Sequence, residues 1–323
     1  MATNLPKRHE PKPDSSVIQW LLDSDPSIRW QVMRDLTEAS ADEVAAERAR
    51  VATEGVGARL LELQAPDGSW GGAAWNHGWD STMHVLMLLR DIGLDPASDH
   101  ARRAVSLVRE NVTWQGDPAF EGNAFFTGEV EPCINGQTAM VGAYFGQDVR
   151  GIIDRLLTEQ LTDGGWNCET DSRHSSFNST ICALEALLEF ERSIEARPEV
   201  TEARLRGQEY LLERRLRRRS TGEVIERDRK SGAVWTQFAF PTWWHYDLLR
   251  GLDYLRCAGV ASDQRVSEAI DLVESKRDSD GRWLLEVQYP GKMPIETDDG
   301  VGLPSRWNTL RALRVLDWYS ARN

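Results

Sequence analysis

The sequence predicts an all-α protein whose helices form an α/α toroid, a double ring of helices around a central cavity. Three observations lead to this prediction: a repeated Asp-Gly-x-Trp turn, an alternation of two kinds of helix, and the near absence of the alternating Val, Ile and Thr runs typical of strands. The chain has 323 residues, 41% hydrophobic and 28% charged, which suffices for one large domain.

The Asp-Gly-x-Trp turn occurs three times, each time where a predicted helix ends. The copies are LLELQAPDGSWGG at 60–72, LLTEQLTDGGWNC at 156–168 and LVESKRDSDGRWLLE at 272–286. The glycine suits a turn residue in the left-handed region, and Trp70, Trp166 and Trp283 can fold back over the preceding helix. Degenerate copies are predicted in the gaps, at 110–117 and 218–224.

Two kinds of helix alternate between these turns. Outer, half-exposed helices, apolar on one side only, are predicted at 99–111, 200–216 and 263–276. Inner helices, apolar nearly all round, are predicted at 28–36, 81–89, 136–145, 179–190, 243–255 and 306–318. Because each inner helix must be covered on both sides, closure into a ring is favoured over a linear solenoid.

Residues 1–15 are predicted to form a flexible N-terminal tail, and 16–323 a single α/α-toroid domain. No leader-like or membrane-spanning apolar run is present, and the four cysteines contain no CxxC pair, so a cytoplasmic location is expected. The net charge of −13 argues against nucleic acid as a partner. The basic run at 213–219 most simply ends an outer helix, and secondarily suggests contact with a membrane surface. The oligomeric state is not indicated.

The three turns resemble the QxxDGxW repeat of squalene cyclases, terpenoid cyclases and protein prenyltransferase β subunits. The ending WHYDLLRGLDYLRCAG with PSRWNTLRALRVLDW resembles stand-alone bacterial prenyltransferase and squalene oxidase repeat proteins. This resemblance implies a toroid acting on an isoprenoid or similar apolar small molecule. It also implies acid-initiated, metal-independent cyclisation or isomerisation, the chemistry of an isomerase or lyase.

Class II terpenoid cyclases use a DxDD motif as proton donor, and the nearest match here is Glu296, Asp298 and Asp299. Carboxylates this close repel one another, so the pKa of one of them is expected to rise and that group to stay protonated. As proton donor it would be assisted by His245 or Arg306. The motif lies several residues before the next helix, which also fits an exposed acidic turn. Asp80 stands directly before an inner helix and is a second candidate, although an N-cap role is favoured for it.

A zinc-dependent prenyltransferase is a further alternative, and the resemblance then implies Asp, Cys and His ligands. Candidates are Asp80, His84, Cys133, Cys168, His174, Cys182 and His245. Because none of them shows a recognised ligand spacing, the sequence predicts no metal and no cofactor. A non-catalytic toroid that binds a lipid or a protein is the remaining alternative.

All inner helices of a toroid begin at one rim, where their dipoles favour an anionic group and aromatic side chains can surround an apolar ligand. The substrate-binding residues predicted at this rim are Trp75, His77, Trp79, His84, Asn135, Phe177, Asn178, Trp243, Trp244, Arg306 and Trp307.

Overall fold

The computed structural model describes residues 15–169 and 171–320. The described helices are α1 (Ser15–Leu22), α2 (Pro26–Leu36), α3 (Ala41–Ala49), α4 (Gly55–Glu62), α5 (Thr82–Asp91), α6 (Asp99–Asn111), α7 (Pro132–Tyr144), α8 (Arg150–Glu159), α9 (Phe177–Ser193), α10 (Pro198–Glu213), α11 (Leu248–Cys257), α12 (Ser267–Ser275) and α13 (Arg306–Ser320). Short 3-10 helices occur at Arg50–Ala52, Phe125–Thr127 and Gln264–Val266. Two short antiparallel strands are β1 (Trp283–Leu284) and β2 (Pro304–Ser305). The predicted all-α class is confirmed, whereas residues 1–14 of the predicted tail lie outside the described part.

Among the described helices, α2, α5, α7, α9, α11 and α13 form a closed inner ring, each packed beside the next. The ring closes because α13 packs against α2. The Trp30 indole N–H joins α2 to the end of α5 by donating to the Ile92 carbonyl over 3.0 Å. Outside the ring, α4, α8, α10 and α12 pack against the inner helices. The fold is therefore the predicted α/α toroid.

Burial follows the division into inner and outer helices. In α13 all but a few side chains are buried, whereas α6 buries only Ala101, Ala104, Val105 and Val108 along one face. None of the helices in the described ranges combines the length and apolarity needed to cross a bilayer.

The three repeat tryptophans occupy equivalent positions, as predicted, and each is almost completely buried. Each indole N–H donates over 2.7 Å to the carbonyl ten residues earlier, at Leu60, Leu156 or Val273 in the preceding outer helix. Each tryptophan thus satisfies a helix carbonyl while its ring fills the space between hairpins.

The backbone of each repeat tryptophan is tied to the following inner helix. Its N–H donates over 3.0 to 3.1 Å to a threonine hydroxyl, that of Thr82, Thr180 or Thr309. The same turn therefore fixes the outer helix before it and the inner helix after it.

The glycine of the turn is required for its backbone conformation and for a close approach. Gly68 and Gly164 have φ values of +85° and +94°, in the left-handed region expected from the sequence. A Cβ at Gly68 would lie 2.6 Å from the backbone of Leu107, and one at Gly164 would lie 2.7 Å from the Arg206 carbonyl oxygen. The next outer helix therefore packs directly on the turn.

The sequence-based prediction of an inner helix at 243–255 is wrong at its start. The helix begins at Leu248, where the Asp247 carboxylate accepts a hydrogen bond from the Arg250 N–H over 2.7 Å and caps α11. Before this cap, Trp243 adopts φ +52° and stacks on Trp79. The apolar pattern of this segment reflects packing over the rim instead of helical periodicity.

Replacement of Trp166 by Ala is expected to lower the free energy of unfolding by roughly 3–5 kcal/mol, since a fully buried indole is removed and the Leu156 carbonyl loses its donor. Urea unfolding followed by circular dichroism measures the loss. Trp20, a half-buried tryptophan on α1, provides the matched control, and Trp20→Ala should cost clearly less. Equal losses in the two variants would contradict the role given to the repeat tryptophans.

Candidate functional site

A cavity of about 1150 Å³ opens at the rim where α7 and α9 begin. Its wall also includes the segment before α5 and the long connection between α10 and α11. Seven Trp, Phe and Tyr side chains contribute to the wall: Trp75, Trp114, Phe120, Phe177, Tyr210, Trp235 and Trp244. A pocket of this size with an aromatic wall suits an apolar small molecule. We call it the rim cavity.

Five of the predicted substrate-binding residues line the rim cavity: Trp75, His77, Phe177, Asn178 and Trp244. Phe177 is the first residue of α9, and its ring packs against Tyr210, Trp235 and Tyr246. Asn178 accepts a hydrogen bond from the Tyr246 N–H over 2.8 Å, which anchors the segment before α11 to α9.

Charged side chains of both signs share the wall with the aromatics. Arg214 is paired with Asp163 at 3.6 Å, and the Arg218 guanidinium reaches Glu268 at 2.9 Å. Asp228 accepts a hydrogen bond from the Asn178 amide over 3.2 Å. The cavity is therefore apolar along its aromatic side and polar toward the connection between α10 and α11.

Four more of the predicted residues form a buried aromatic cluster outside the rim-cavity wall. Trp79 stacks on Trp243 at a centroid distance of 5.3 Å, and the His84 ring packs edge-on against both. His245 lies between the rings of Trp244 and Tyr289, at centroid distances of 3.8 and 3.5 Å. The cluster therefore packs beside the rim cavity and meets it at Trp244.

Both histidines of this cluster are neutral at physiological pH. Burial lowers the pKa of each to about 3. His84 contacts the Ser81 hydroxyl over 2.8 Å through Nδ1, in agreement with a hydrogen-bonded core histidine. The Nε2 of His84 and the Nδ1 of His245 have no partner among the described residues.

Arg250 holds the aromatic segment over the rim. Its guanidinium donates to the carbonyls of Trp243 and His245 over 2.8 and 2.7 Å, and it binds both carboxylate oxygens of Glu185. The side chain is 5% exposed, and the bidentate ion pair compensates its charge. Sequence patterns did not single out Arg250, because its burial depends on an ion pair with Glu185 of α9, a residue 65 positions away.

Asp80 does not cap α5, and the N-cap role favoured from the sequence is wrong. The cap position is Ser81, and the Asp80 carboxylate binds the Lys292 ammonium at 2.8 Å and the Asn76 amide at 3.1 Å. Burial acts to raise the pKa of Asp80, but the hydrogen bonds from Lys292 and Asn76 outweigh it and leave the pKa below its usual value. An ionised Asp80 is a poor proton donor.

Asn135 supports the rim-cavity wall without being part of it. Its side-chain amide accepts from the Glu129 N–H over 2.8 Å and donates to the Glu129 carbonyl over 3.0 Å. Glu129 lines the cavity, and burial raises the pKa of its carboxyl to about 7. No sequence pattern marks Glu129 as a site residue, because its burial depends on the conformation of a loop without periodicity.

The acidic motif lies at the start of α13 and is absent from the described wall of the rim cavity. The Asp298 carboxylate accepts hydrogen bonds from the Ser305 hydroxyl over 2.8 Å and from the Arg306 N–H over 3.1 Å. Burial raises the pKa of Asp298 to about 7, and the neighbouring Asp299 charge adds a smaller increase. Glu296 is exposed, and the Asp299 side chain is 73% exposed.

Arg306 and Trp307 also lie apart from the rim cavity. The Arg306 guanidinium lies over the Trp20 ring, 4.7 Å from its centroid, and therefore faces α1. Trp307 is buried and stacks on Phe240 at a centroid distance of 4.3 Å. Both line a small crevice of about 250 Å³ beside Asp25. The catalytic assignments of Glu296, Asp298, Asp299, Asp80 and His245 stay predictions.

One group of side chains in the described ranges could hold a metal ion. Donor atoms of Glu131, Cys133 and Cys168 all lie within 4.8 Å of one another, on the wall of the rim cavity. Cys133 and Cys168 are two of the candidate ligands predicted from the sequence, in which no recognised ligand spacing joins them.

Comparison with known proteins gives likenesses in structure alone. No protein-family model matches the chain, and no curated protein matches it. A variant of the type II terpene cyclase MstE from Scytonema, in complex with merosterolic acid A, is 13% identical with a TM-score of 0.46, covering 95% of this chain and 96% of the other. Another MstE variant, in complex with geranylgeranyl dihydroxybenzoate, is 16% identical with a TM-score of 0.44, covering 96% and 89%. The ent-copalyl diphosphate synthase from Streptomyces platensis is 16% identical with a TM-score of 0.42, covering 90% of this chain and 49% of that one.

The raised pKa of Asp298 predicts a specific pH dependence of stability. The unfolded chain releases this proton near pH 4 and the folded chain near pH 7, so the stability contributed by the protonated form is lost as pH rises through this window. Asp298→Asn is expected to remove an effect on the order of 2 kcal/mol, since one pKa unit corresponds to about 1.4 kcal/mol and partial exposure reduces the total.

Urea unfolding at pH 4.5 and pH 8 measures this effect in both proteins. The wild type should lose more stability between the two pH values than Asp298→Asn. The control is Asp299→Asn, which removes the charge of the exposed neighbour and should keep most of the pH dependence, since burial is the main cause of the raised Asp298 pKa. An identical pH dependence in the wild type and Asp298→Asn would show that the Asp298 carboxyl titrates normally.

Proposed function

We propose that this protein binds an isoprenoid-like or similarly apolar small molecule in the rim cavity and converts it by acid-initiated cyclisation or isomerisation. The proposed binding is supported by the cavity of about 1150 Å³ with its aromatic wall. A flat, polarisable wall contacts an unsaturated hydrocarbon over a large area, and the ring faces stabilise positive charge that develops during carbocation chemistry.

The polar side of the rim cavity supports a ligand with one polar end. Asp163, Arg214 and Asp228 line the same cavity as Phe177 and Trp244. An apolar ligand with a hydroxyl or anionic end group could place its chain against the aromatics and that group among the charged residues. We therefore propose an amphiphilic ligand.

The proton donor proposed for the reaction is Asp298, with Glu296 and Asp299 as its neighbours in the acidic motif. Its support is a pKa of about 7, because a general acid works best when its pKa lies near the operating pH. Its position at the start of α13 requires the 294–304 loop to bring the carboxyl to the ligand.

A second candidate function is binding without conversion. The observation that favours it is the location of the acidic motif, since none of its three carboxyls belongs to the described wall of the rim cavity. A toroid that stores or presents a lipid needs the cavity but no proton donor.

Ligand binding is tested with geranylgeraniol and squalene as probes, followed by the fluorescence of the wall tryptophans. We expect saturable quenching in the wild type and at least tenfold weaker binding by Ile134→Glu, because this half-buried wall residue would place a charge against the hydrocarbon. Leu205→Glu is the matched control, since Leu205 is 54% exposed on α10, away from the wall. Unsaturable quenching, or equal affinities in the two variants, would refute the proposed binding.

Conversion is tested by incubating the protein with isoprenoid alkenes and terminal epoxides and analysing the products by gas chromatography and mass spectrometry. Cyclisation or isomerisation preserves the mass, so the expected product has the mass of the probe and a new retention time. We expect Asp298→Asn to lose this product while keeping probe binding, and Asp299→Asn to retain both. Binding without any product in the wild type would establish the second candidate, and an active Asp298→Asn would reject this donor.

A further inference from the structure

We propose that Glu131, Cys133 and Cys168 form a zinc site on the wall of the rim cavity, with one coordination position open toward the cavity. The inference goes beyond the proposed function, which involves no metal. It rests on the donor atoms that the fold brings together at the start of α7.

The spacing of the donor atoms fits a zinc ion. Zinc binds thiolate sulfur at about 2.3 Å and carboxylate oxygen at about 2.0–2.2 Å, so neighbouring donors of a tetrahedral site lie about 3.5–3.8 Å apart. The Cys133 sulfur lies 3.6 Å from a carboxylate oxygen of Glu131. All three donors lie within 4.8 Å of one another, so small side-chain rotations bring them to coordination distance.

The Cys168 sulfur already has the hydrogen-bonding environment of a coordinated thiolate. It accepts a hydrogen bond from the Cys133 N–H and another from the Ser179 hydroxyl, each over 3.2 Å. Donors of this kind orient a metal-bound sulfur and stabilise its negative charge. The helix dipole places partial positive charge at the N-terminal end of α7, and this charge stabilises a negatively charged thiolate there.

The backbone on both sides of the site is fixed by the fold. The Glu131 N–H donates over 2.6 Å to the Glu129 carboxylate, and the Arg155 guanidinium donates to the Glu129 carbonyl over 2.7 Å. On the other side, Trp166 pairs with Ser176 in a β-bridge two residues before Cys168. Because the donors sit on constrained segments, the site needs little ordering when the metal binds.

The donor set selects the metal. Two thiolates and one carboxylate suit zinc, whereas magnesium and calcium prefer oxygen donors alone. Three protein ligands leave one position of a tetrahedral ion free, and because all three residues belong to the cavity wall, that position would be available to a ligand in the cavity. The sequence did not reveal the site because Cys133 and Cys168 are 35 residues apart and only the packing of α7 beside α9 joins them.

The test uses the full chain, kept reduced and stripped of metal with a chelator, and titrates it with Co²⁺ as a spectroscopic substitute for Zn²⁺. One Co²⁺ per chain should bind, with near-ultraviolet absorption from thiolate-to-metal charge transfer, and Zn²⁺ should displace it. Cys133→Ser and Cys168→Ser should each weaken binding at least tenfold and reduce that absorption. Glu131→Gln should weaken binding while keeping the absorption.

Cys257→Ser is the matched control, because Cys257 is another partly buried free cysteine, at the end of α11 and outside the wall. It should bind Co²⁺ like the wild type. A second measurement needs no variant: Zn²⁺ should slow the alkylation of Cys133 and Cys168 in the wild type, but not that of Cys257, as mapped by mass spectrometry. Absence of stoichiometric Co²⁺ binding, or equal alkylation with and without Zn²⁺, would overturn the proposal, whatever the outcome with isoprenoid probes.

Discussion

The fold depends on one repeated interaction, the buried tryptophan that ends each turn between an outer and an inner helix. Its indole N–H satisfies a carbonyl of the helix before it, and its backbone N–H donates to a threonine of the helix after it. Each turn thereby fixes the angle between two helices at a point where the bulky ring leaves no free space. Because the three turns at Trp70, Trp166 and Trp283 repeat this geometry, the helices that follow them begin at the same rim.

The rim cavity, the buried aromatic cluster and the side chain of Arg250 all lie at this common rim. Arg250 reaches the rim from α11 and binds the carbonyls of Trp243 and His245 while its charge is compensated by Glu185. The aromatic cluster that it supports packs beside the start of α5, and the rim cavity opens where α7 and α9 begin. The cavity and the cluster differ because the segments that connect the helices differ, whereas the three repeated turns make the same hydrogen bonds.

Two carboxylates at this rim illustrate how local partners decide ionisation. Asp80 receives hydrogen bonds from a lysine and an asparagine, and its pKa falls although burial opposes the change. Asp298 receives hydrogen bonds from a hydroxyl and a backbone N–H, and burial nevertheless raises its pKa to about 7. Asp298 is the more strongly desolvated of the two and has the Asp299 charge beside it, whereas Asp80 has hydrogen bonds from Lys292 and Asn76 that outweigh its desolvation.

The sequence by itself determined the helical class, the repeated turns and the division into inner and outer helices. These features follow from local chemistry: glycine in a left-handed turn, tryptophan three residues after aspartate, and apolar residues at helical spacing. The tertiary structure alone decided which rim residues share a cavity. Trp75, Phe177 and Trp244 meet there, whereas Trp79 and Trp243 stack in the cluster and Asp298 binds the start of α13. The juxtaposition of Cys133 and Cys168 likewise depends on helices that are distant in sequence, and periodicity within one helix carries no information about such contacts.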